Sequence, residues 1–152
     1  MSIKETLRSD LTEAIRGRNE ITSSTIRMVL TAITNEEVAG KEARVLDDQD
    51  MITVLNREAK KRKEAATAYD DAKRPELADK ERAELGIIQA YLPAALSDED
   101  LAKIIASAVA EVAAAGTSGP SAMGAVMKIV SPQVSGRADG GAVAAAVKSA
   151  LA

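Results

Sequence analysis

Apolar residues recur every three to four positions along most of this chain, which is the pattern of amphipathic helices. In the first part of the chain, four such stripes are separated by capping and helix-breaking residues, and each stripe predicts one helix. The predicted helices cover about residues 3–18, 20–39, 47–72 and 75–92. Because only a few residues join the third and fourth helices, we expect these two to form an antiparallel hairpin.

Capping residues sharpen several of these boundaries. Ser2 and Glu5 form a capping-box pattern at the first helix, and Gly40 is the expected C-cap of the second. Pro93 stops the fourth helix, because proline has no N–H to donate and restricts the residue before it. Ser97 with Asp100 then marks the start of the next helix. Residues 86–101 therefore read as the junction of two helical domains, 1–93 and 94–152.

After the junction the chain becomes rich in alanine, and the pattern predicts three shorter helices. The first covers about residues 98–115 and ends at Gly116, the second runs from Pro120 to Pro132, and Asp139 caps the third. The expected fold is all-α, with a larger N-terminal domain of about four helices and a small C-terminal three-helix domain. Small side chains bury little apolar area, so we expect the second domain to be the less stable one.

Composition excludes several classes of protein. The chain has no Cys and no His, which removes thiol chemistry, the usual general base and the commonest metal ligands. No P-loop, dinucleotide fingerprint or nucleophile–base pattern is present, so we expect no catalytic residue, no metal site and no cofactor. No stretch of about 18 apolar residues and no signal-peptide core occurs, so a soluble cytoplasmic protein is the default expectation.

Charge is concentrated in the first domain. Residues 1–93 hold 16 of the 20 Lys and Arg and 18 of the 23 Asp and Glu, and the whole chain carries a net charge of −3. This balance gives no global attraction to nucleic acid, so RNA binding would need a local patch. The densest basic run lies in the third helix and consists of Arg57, Lys60, Lys61, Arg62 and Lys63.

Helical geometry divides this basic run between two faces. Arg57, Lys60 and Lys61 fall opposite the apolar stripe, with Glu64 among them. These three cations form a candidate RNA-binding surface that could grip a phosphate backbone. The alternative is an ordinary solvated face with a Lys60–Glu64 pair.

Arg62 falls on the apolar stripe of the third helix, where a guanidinium group needs a partner. Glu81 and Glu84 lie on the apolar face of the fourth helix. Counting back across the turn between the helices places Glu84 opposite Arg62. We therefore predict a structural Arg62–Glu84 ion pair, with Glu81 as the second choice. The alternative is that Arg62 reaches past the stripe to water.

The second domain offers weaker candidates. Residues 135–141 form a loop before the last helix, and Arg137 together with free N–H groups there could bind phosphate. If Asp139 acts only as the N-cap of the last helix, its own carboxylate occupies this anion site. Lys128 adds positive charge to this domain. Met123 and Met127 could form an adaptable groove for a protein partner, or they could belong to the core.

Five short motifs occur in order along the whole chain. They are IRMVL at 26–30, the basic run from Arg57 to Lys63, YLP with LS at 91–97, MGAVM at 123–127 and GRADG at 136–140. In these motifs the sequence resembles the stand-alone YqeY proteins of the GatB/YqeY family. That resemblance implies an all-helical protein with a small C-terminal helical domain.

The resemblance also implies a function. The related segment forms the tail of the GatB component of the glutamine-dependent aspartyl/glutamyl-tRNA amidotransferase, a carbon–nitrogen ligase with glutamine as amido donor. That tail contacts tRNA, while the active sites lie in other regions and subunits. Relatives of the module are also fused to a glutaminyl-tRNA synthetase. The expected function is therefore a non-catalytic tRNA-binding accessory role in translation. The implied RNA contacts are Arg57, Lys60, Lys61, Lys128 and Arg137.

The implied partners are tRNA and components of an amidotransferase or an aminoacyl-tRNA synthetase, with no DNA and no membrane partner. Two alternatives stay open. One is a protein–protein adaptor without RNA binding. The other is an enzyme component that is active only inside an amidotransferase.

Overall fold

The computed structural model describes residues 1–152 as an all-helical protein, which confirms the predicted fold class. Seven α-helices and one short 3₁₀ helix follow one another along the chain. Their bounds are α1 (Ile3–Arg16), α2 (Glu20–Glu37), α3 (Asp48–Asp71), α4 (Pro75–Gln89), α5 (Asp98–Ala114), the 3₁₀ helix (Gly119–Ala122), α6 (Met123–Val134) and α7 (Gly140–Leu151).

The chain divides into two compact units, each with its own core. Unit 1 is Met1–Leu92 and unit 2 is Pro93–Ala152, so the division falls one residue before the boundary expected from the sequence. No single helix is both long and apolar enough to cross a membrane. The one pair of segments that would suffice by combined length and composition, α5 with Gly119–Val134, is bent by 103°.

The core of unit 1 is built from all four of its helices and from Leu46 in the segment before α3. Helix α3 packs most extensively on α4. Arg62 pairs with Glu84 and Asp70 pairs with Arg82, so the contacts run in opposite order along the two helices, as in the predicted hairpin. The buried core residues are Leu7, Ile26, Val29, Ile33, Leu46, Met51, Val54, Leu55, Ala59 and Ile88.

Two predictions for unit 1 were wrong in detail. The repeat Ile3, Leu7, Leu11 and Ile15 predicts one buried stripe on α1. In the structure Ile15 is 50% exposed, while Ala14 is buried. Four-residue steps advance about 40° beyond a full turn each time, so the fourth member of such a stripe has rotated away from the core. Helix α2 ends at Glu37 rather than near Gly40. The carbonyl of Glu37 accepts a hydrogen bond from the Arg44 N–H at 2.9 Å, which directs the chain out of the helix.

The predicted caps are present at most helix starts. The Ser2–Glu5 capping box is complete, and the Asp47, Ser97 and Asp139 side chains each accept a backbone N–H at the start of α3, α5 and α7. Pro75 occupies the first turn of α4, where its missing N–H costs nothing.

The core of unit 2 consists mostly of small and β-branched side chains from its three α-helices and the 3₁₀ helix. Helix α5 ends at Ala114, and Gly116, which follows the C-cap residue Ala115, turns the chain away with φ +101°. Pro132 does not end α6 as predicted, because the helix continues to Val134, whose side chain is buried in the core. The buried residues are Ile105, Ala108, Val112, Ala122, Val126, Val130, Val134, Val143, Val147 and Leu151.

Candidate nucleic-acid interface

The exposed side of α3 carries the three cations singled out by the sequence, and we call Arg57, Lys60 and Lys61 the basic face. All three side chains are exposed to solvent. Positions 57, 60 and 61 lie three and four residues apart on the helix, so their side chains emerge from the same surface. Leu55 and Ala59 are buried on the opposite side of α3, so packing of that side against the core directs the three cations towards solvent.

Two of the three cations are already paired within the chain. Arg57 Nη1 lies 3.1 Å from Glu36 Oε2 on α2, and Lys61 Nζ lies 2.8 Å from Glu58 Oε1. Lys60 makes no ion pair, so the alternative Lys60–Glu64 pair does not form. The basic face therefore combines one unpaired ammonium group with two cations that an RNA phosphate would share with, or take from, a carboxylate.

Arg62 points into the α3–α4 hairpin rather than towards the basic face. Its Nε lies 3.0 Å from Glu84 Oε2 and 3.7 Å from Glu81 Oε2, and its Nη2 lies 3.6 Å from Glu58 Oε2. The Nη2 group also lies 3.6 Å from the sulfur of Met28 on α2. The structure thus brings together Arg62, Glu84 and Glu81. It adds Glu58, which was not among the predicted partners although it precedes Arg62 by one helical turn.

The cluster around Arg62 is ionic and almost fully enclosed. The four charged side chains expose between 8% and 20% of their surface. The Arg62 Nε and one Glu81 oxygen make no hydrogen bond of good geometry, so charge attraction dominates the contact. These carboxylates do not form a set that could hold a metal ion, since the guanidinium group takes the position between them. We assign Arg62 a structural role in unit 1.

The candidates in unit 2 have different surroundings. Lys128 is exposed on α6 and has no ion pair. Arg137 ties two segments together, because its Nε donates to the Ala94 carbonyl at 3.2 Å and its own carbonyl accepts from the Leu96 N–H at 3.0 Å. The Asp139 carboxylate accepts the N–H of Ala142 at 3.0 Å and so occupies the start of α7 itself. Met123 and Met127, considered as a groove, pack partly buried against the core of unit 2.

One cation near the basic face was missed by sequence reasoning. Arg44, in the segment between α2 and α3, lies 3.0 Å from Asp50 Oδ2 and 3.9 Å from Glu36 Oε1. Arg44 falls between the predicted second and third helices, where the pattern indicates only a connecting segment. Because Arg44 lies outside any helix, no periodic spacing could relate it to Glu36 or to Arg57.

Comparison with known proteins gives one family match over nearly the whole chain. A family model described as YqeY-like protein matches residues 4–151. An uncharacterized protein of Schizosaccharomyces pombe is 30% identical over 93 residues, which cover 60% of this chain and 73% of that protein.

Fungal proteins with a mitochondrial name also match. The altered inheritance of mitochondria protein 41 of Vanderwaltozyma polyspora is 31% identical over 86 residues, 57% of this chain and 46% of that protein. The protein of the same name from Pyrenophora tritici-repentis is 26% identical over 127 residues, 82% of this chain and 68% of that protein. The chain thus spans less than half the length of the first of these relatives. Their name assigns them to mitochondria.

Proposed function

Because this chain belongs to the family of YqeY-like proteins, we propose that it is a non-catalytic tRNA-binding accessory protein. The observation that supports this proposal is the basic face of α3, where Lys60 has no ion pair and lies beside the exposed Arg57 and Lys61. A family likeness to a tRNA-contacting tail and a local cationic surface both favour the same ligand.

The physical basis of the proposed contact is local electrostatics. Each phosphate that a cation neutralises releases condensed counterions, which favours binding at low salt. The chain as a whole is acidic, with a net charge of −3, so a distant polyanion is not attracted. Binding would therefore depend on contacts at the basic face, with Lys128 and Arg137 as a separate candidate contact in unit 2.

In this proposal the chemistry of amidation belongs to partner enzymes. Components of a glutamine-dependent amidotransferase, or of an aminoacyl-tRNA synthetase, would carry out carbon–nitrogen ligation or aminoacylation on the tRNA. The protein would hold the tRNA for them. We propose the cytoplasm as the compartment, and the names of the fungal relatives make mitochondria the alternative to test.

The test is a salt titration of binding between the purified protein and unfractionated tRNA, with generic duplex RNA as the competitor. We expect binding that prefers tRNA and weakens as salt rises. Neutralising the basic face with Arg57→Gln, Lys60→Gln and Lys61→Gln together should weaken binding about tenfold, if each contact contributes about 0.5 kcal/mol. It should also reduce the slope of log affinity against log salt by about 2–3, or 0.7–0.9 for each lost phosphate contact.

The matched control neutralises three cations elsewhere in unit 1, using Arg16→Gln, Lys73→Gln and Lys80→Gln. It makes the same change in net charge, so it should reduce affinity far less than the basic-face variant. Equal effects of the two variants would show that only total charge matters. Absence of tRNA binding at low salt would overturn the proposal.

A second candidate function is a protein–protein adaptor. It is favoured by a groove of about 380 Å³ between α5 and α7 in unit 2, lined mainly by Leu101, Ile105 and small alanines. Such a groove could accept bulky apolar side chains of a partner helix. If tRNA binding is absent, Ala146→Arg would test this function, because it should abolish a stoichiometric protein complex that forms without RNA.

A further inference from the structure

Arg44 and Arg57 approach the same carboxylate from two sides. The backbone N–H of Arg44 donates to the Glu37 carbonyl, which fixes this residue beside the end of α2. Its guanidinium group lies 3.9 Å from Glu36 Oε1, and Arg57 Nη1 lies 3.1 Å from Glu36 Oε2. Asp50 Oδ2 holds the other edge of Arg44 at 3.0 Å. One guanidinium group therefore faces each oxygen of Glu36.

A phosphate group can replace the Glu36 carboxylate between the two arginines. Planar guanidinium groups donate paired hydrogen bonds that match phosphate oxygens as well as carboxylate oxygens. Both arginine side chains are 54% exposed and Glu36 is 31% exposed, so a polyanion can reach them. Ion pairs at such exposure contribute little to stability, so exchanging Glu36 for phosphate costs little.

We infer that Arg44 and Arg57 form a two-guanidinium phosphate site, which Glu36 fills in the free protein and an RNA phosphate fills in the complex. Arg44 thereby extends the RNA contact beyond α3, and Glu36 acts as an internal competitor that lowers affinity. The inference rests on the proposed function, because Arg57 belongs to the basic face.

The experiment compares Glu36→Gln, Arg44→Gln and the wild type in the same salt titration with unfractionated tRNA. Removing the competitor should tighten binding up to about fivefold, and removing Arg44 should weaken it by a similar factor. Combining both substitutions should give a smaller gain than Glu36→Gln alone. The matched control is Glu13→Gln, which also removes one exposed carboxylate paired with an arginine, Arg16 on α1.

Tighter binding by Glu36→Gln than by Glu13→Gln, together with weaker binding by Arg44→Gln, supports the inference. The inference is overturned if Glu36→Gln binds tRNA no more tightly than Glu13→Gln and Arg44→Gln binds it as tightly as the wild type. If the basic-face variant still binds more weakly in that case, the proposed function stands. Failure of both the wild type and Glu36→Gln to bind tRNA at low salt overturns the two proposals together.

Discussion

Replacing Arg62 by methionine should destabilise unit 1 more than any single replacement among the carboxylates around it. The guanidinium group is the one cation between Glu58, Glu81 and Glu84, at N–O distances of 3.0–3.7 Å. Methionine keeps much of the apolar stem but removes the charge. Three carboxylates would then share an enclosed site whose only remaining ion pair is Lys61 with Glu58, at the solvent edge.

The expected magnitude follows from these distances. At an effective dielectric constant of about 20, each of the three contacts gains about 4.5–5.5 kcal/mol of Coulomb attraction. Desolvation of the charges and repulsion among the carboxylates offset most of this gain. Breaking such a site by removing one partner costs about 3–5 kcal/mol. Because the side chains keep some contact with solvent, we expect Arg62→Met to lower the free energy of unfolding by about 3 kcal/mol.

The same cluster predicts an asymmetry between its members. Glu84→Gln leaves Arg62 with two carboxylates and relieves repulsion between acids, so it should cost no more than about 1 kcal/mol. Lys63→Met is the control on the same helix, since Lys63 is exposed and has no ion pair. A surface substitution of that kind should change stability by less than about 0.5 kcal/mol.

Urea unfolding followed by tyrosine fluorescence measures these differences in the right part of the molecule. Tyr69 and Tyr91 are the only aromatic residues of the chain, and both lie in unit 1. The signal therefore reports unit 1 without a contribution from unit 2. A loss below about 1 kcal/mol for Arg62→Met, or an equal loss for Glu84→Gln, would refute the reasoning that one cation holds an excess of buried carboxylates.

Two further predictions use the same assay. Thr25 is fully buried and its hydroxyl has no hydrogen-bond partner, so Thr25→Val should raise stability by about 1 kcal/mol, and a loss of that size would contradict the reasoning. The hydrogen bond from Lys4 Nζ, at 2.8 Å, holds the pKa of Glu37 below its ordinary value of 4.5. A lowered carboxyl pKa stabilises the fold above pH 4.5 and loses that effect as the pH falls through the lowered value. The stability difference between the wild type and Lys4→Met should therefore shrink in acid, and a difference independent of pH would exclude this linkage.

Helix existence was predictable because it depends on local periodicity, whereas helix ends depend on contacts made elsewhere. All seven α-helices match stripes of apolar residues, and most starts carry a capping side chain. The end of α2 depends on a hydrogen bond from Arg44, seven residues beyond Glu37. The continuation of α6 past Pro132 depends on burial of Val134 in the core of unit 2. Neither contact can be predicted from the residues next to the helix end.

The ion cluster around Arg62 was predictable from local sequence, whereas the ion pair of Arg57 with Glu36 on the basic face was not. Arg62 and Glu84 could be related in advance because a short turn fixes the register of two antiparallel helices. Glu36 and Arg44 could not, since Glu36 lies in the last turn of α2 and Arg44 lies in an irregular segment whose path the sequence pattern does not define. The prediction of Arg57 as part of an RNA-binding surface therefore did not include the Glu36 carboxylate 3.1 Å away.

This pairing changes what the basic face can recognise. A surface of free cations binds any polyanion, because each phosphate simply replaces counterions. On this protein, two of the three cations already pair with Glu36 or Glu58, so a phosphate must share them with a carboxylate or displace it, and a randomly placed phosphate gains little. An RNA whose backbone presents phosphates at the right positions would displace the carboxylates at several points together. In the proposed function, the internal carboxylates would favour a folded RNA of defined shape over generic polyanions, which accords with tRNA as the proposed ligand of an acidic protein.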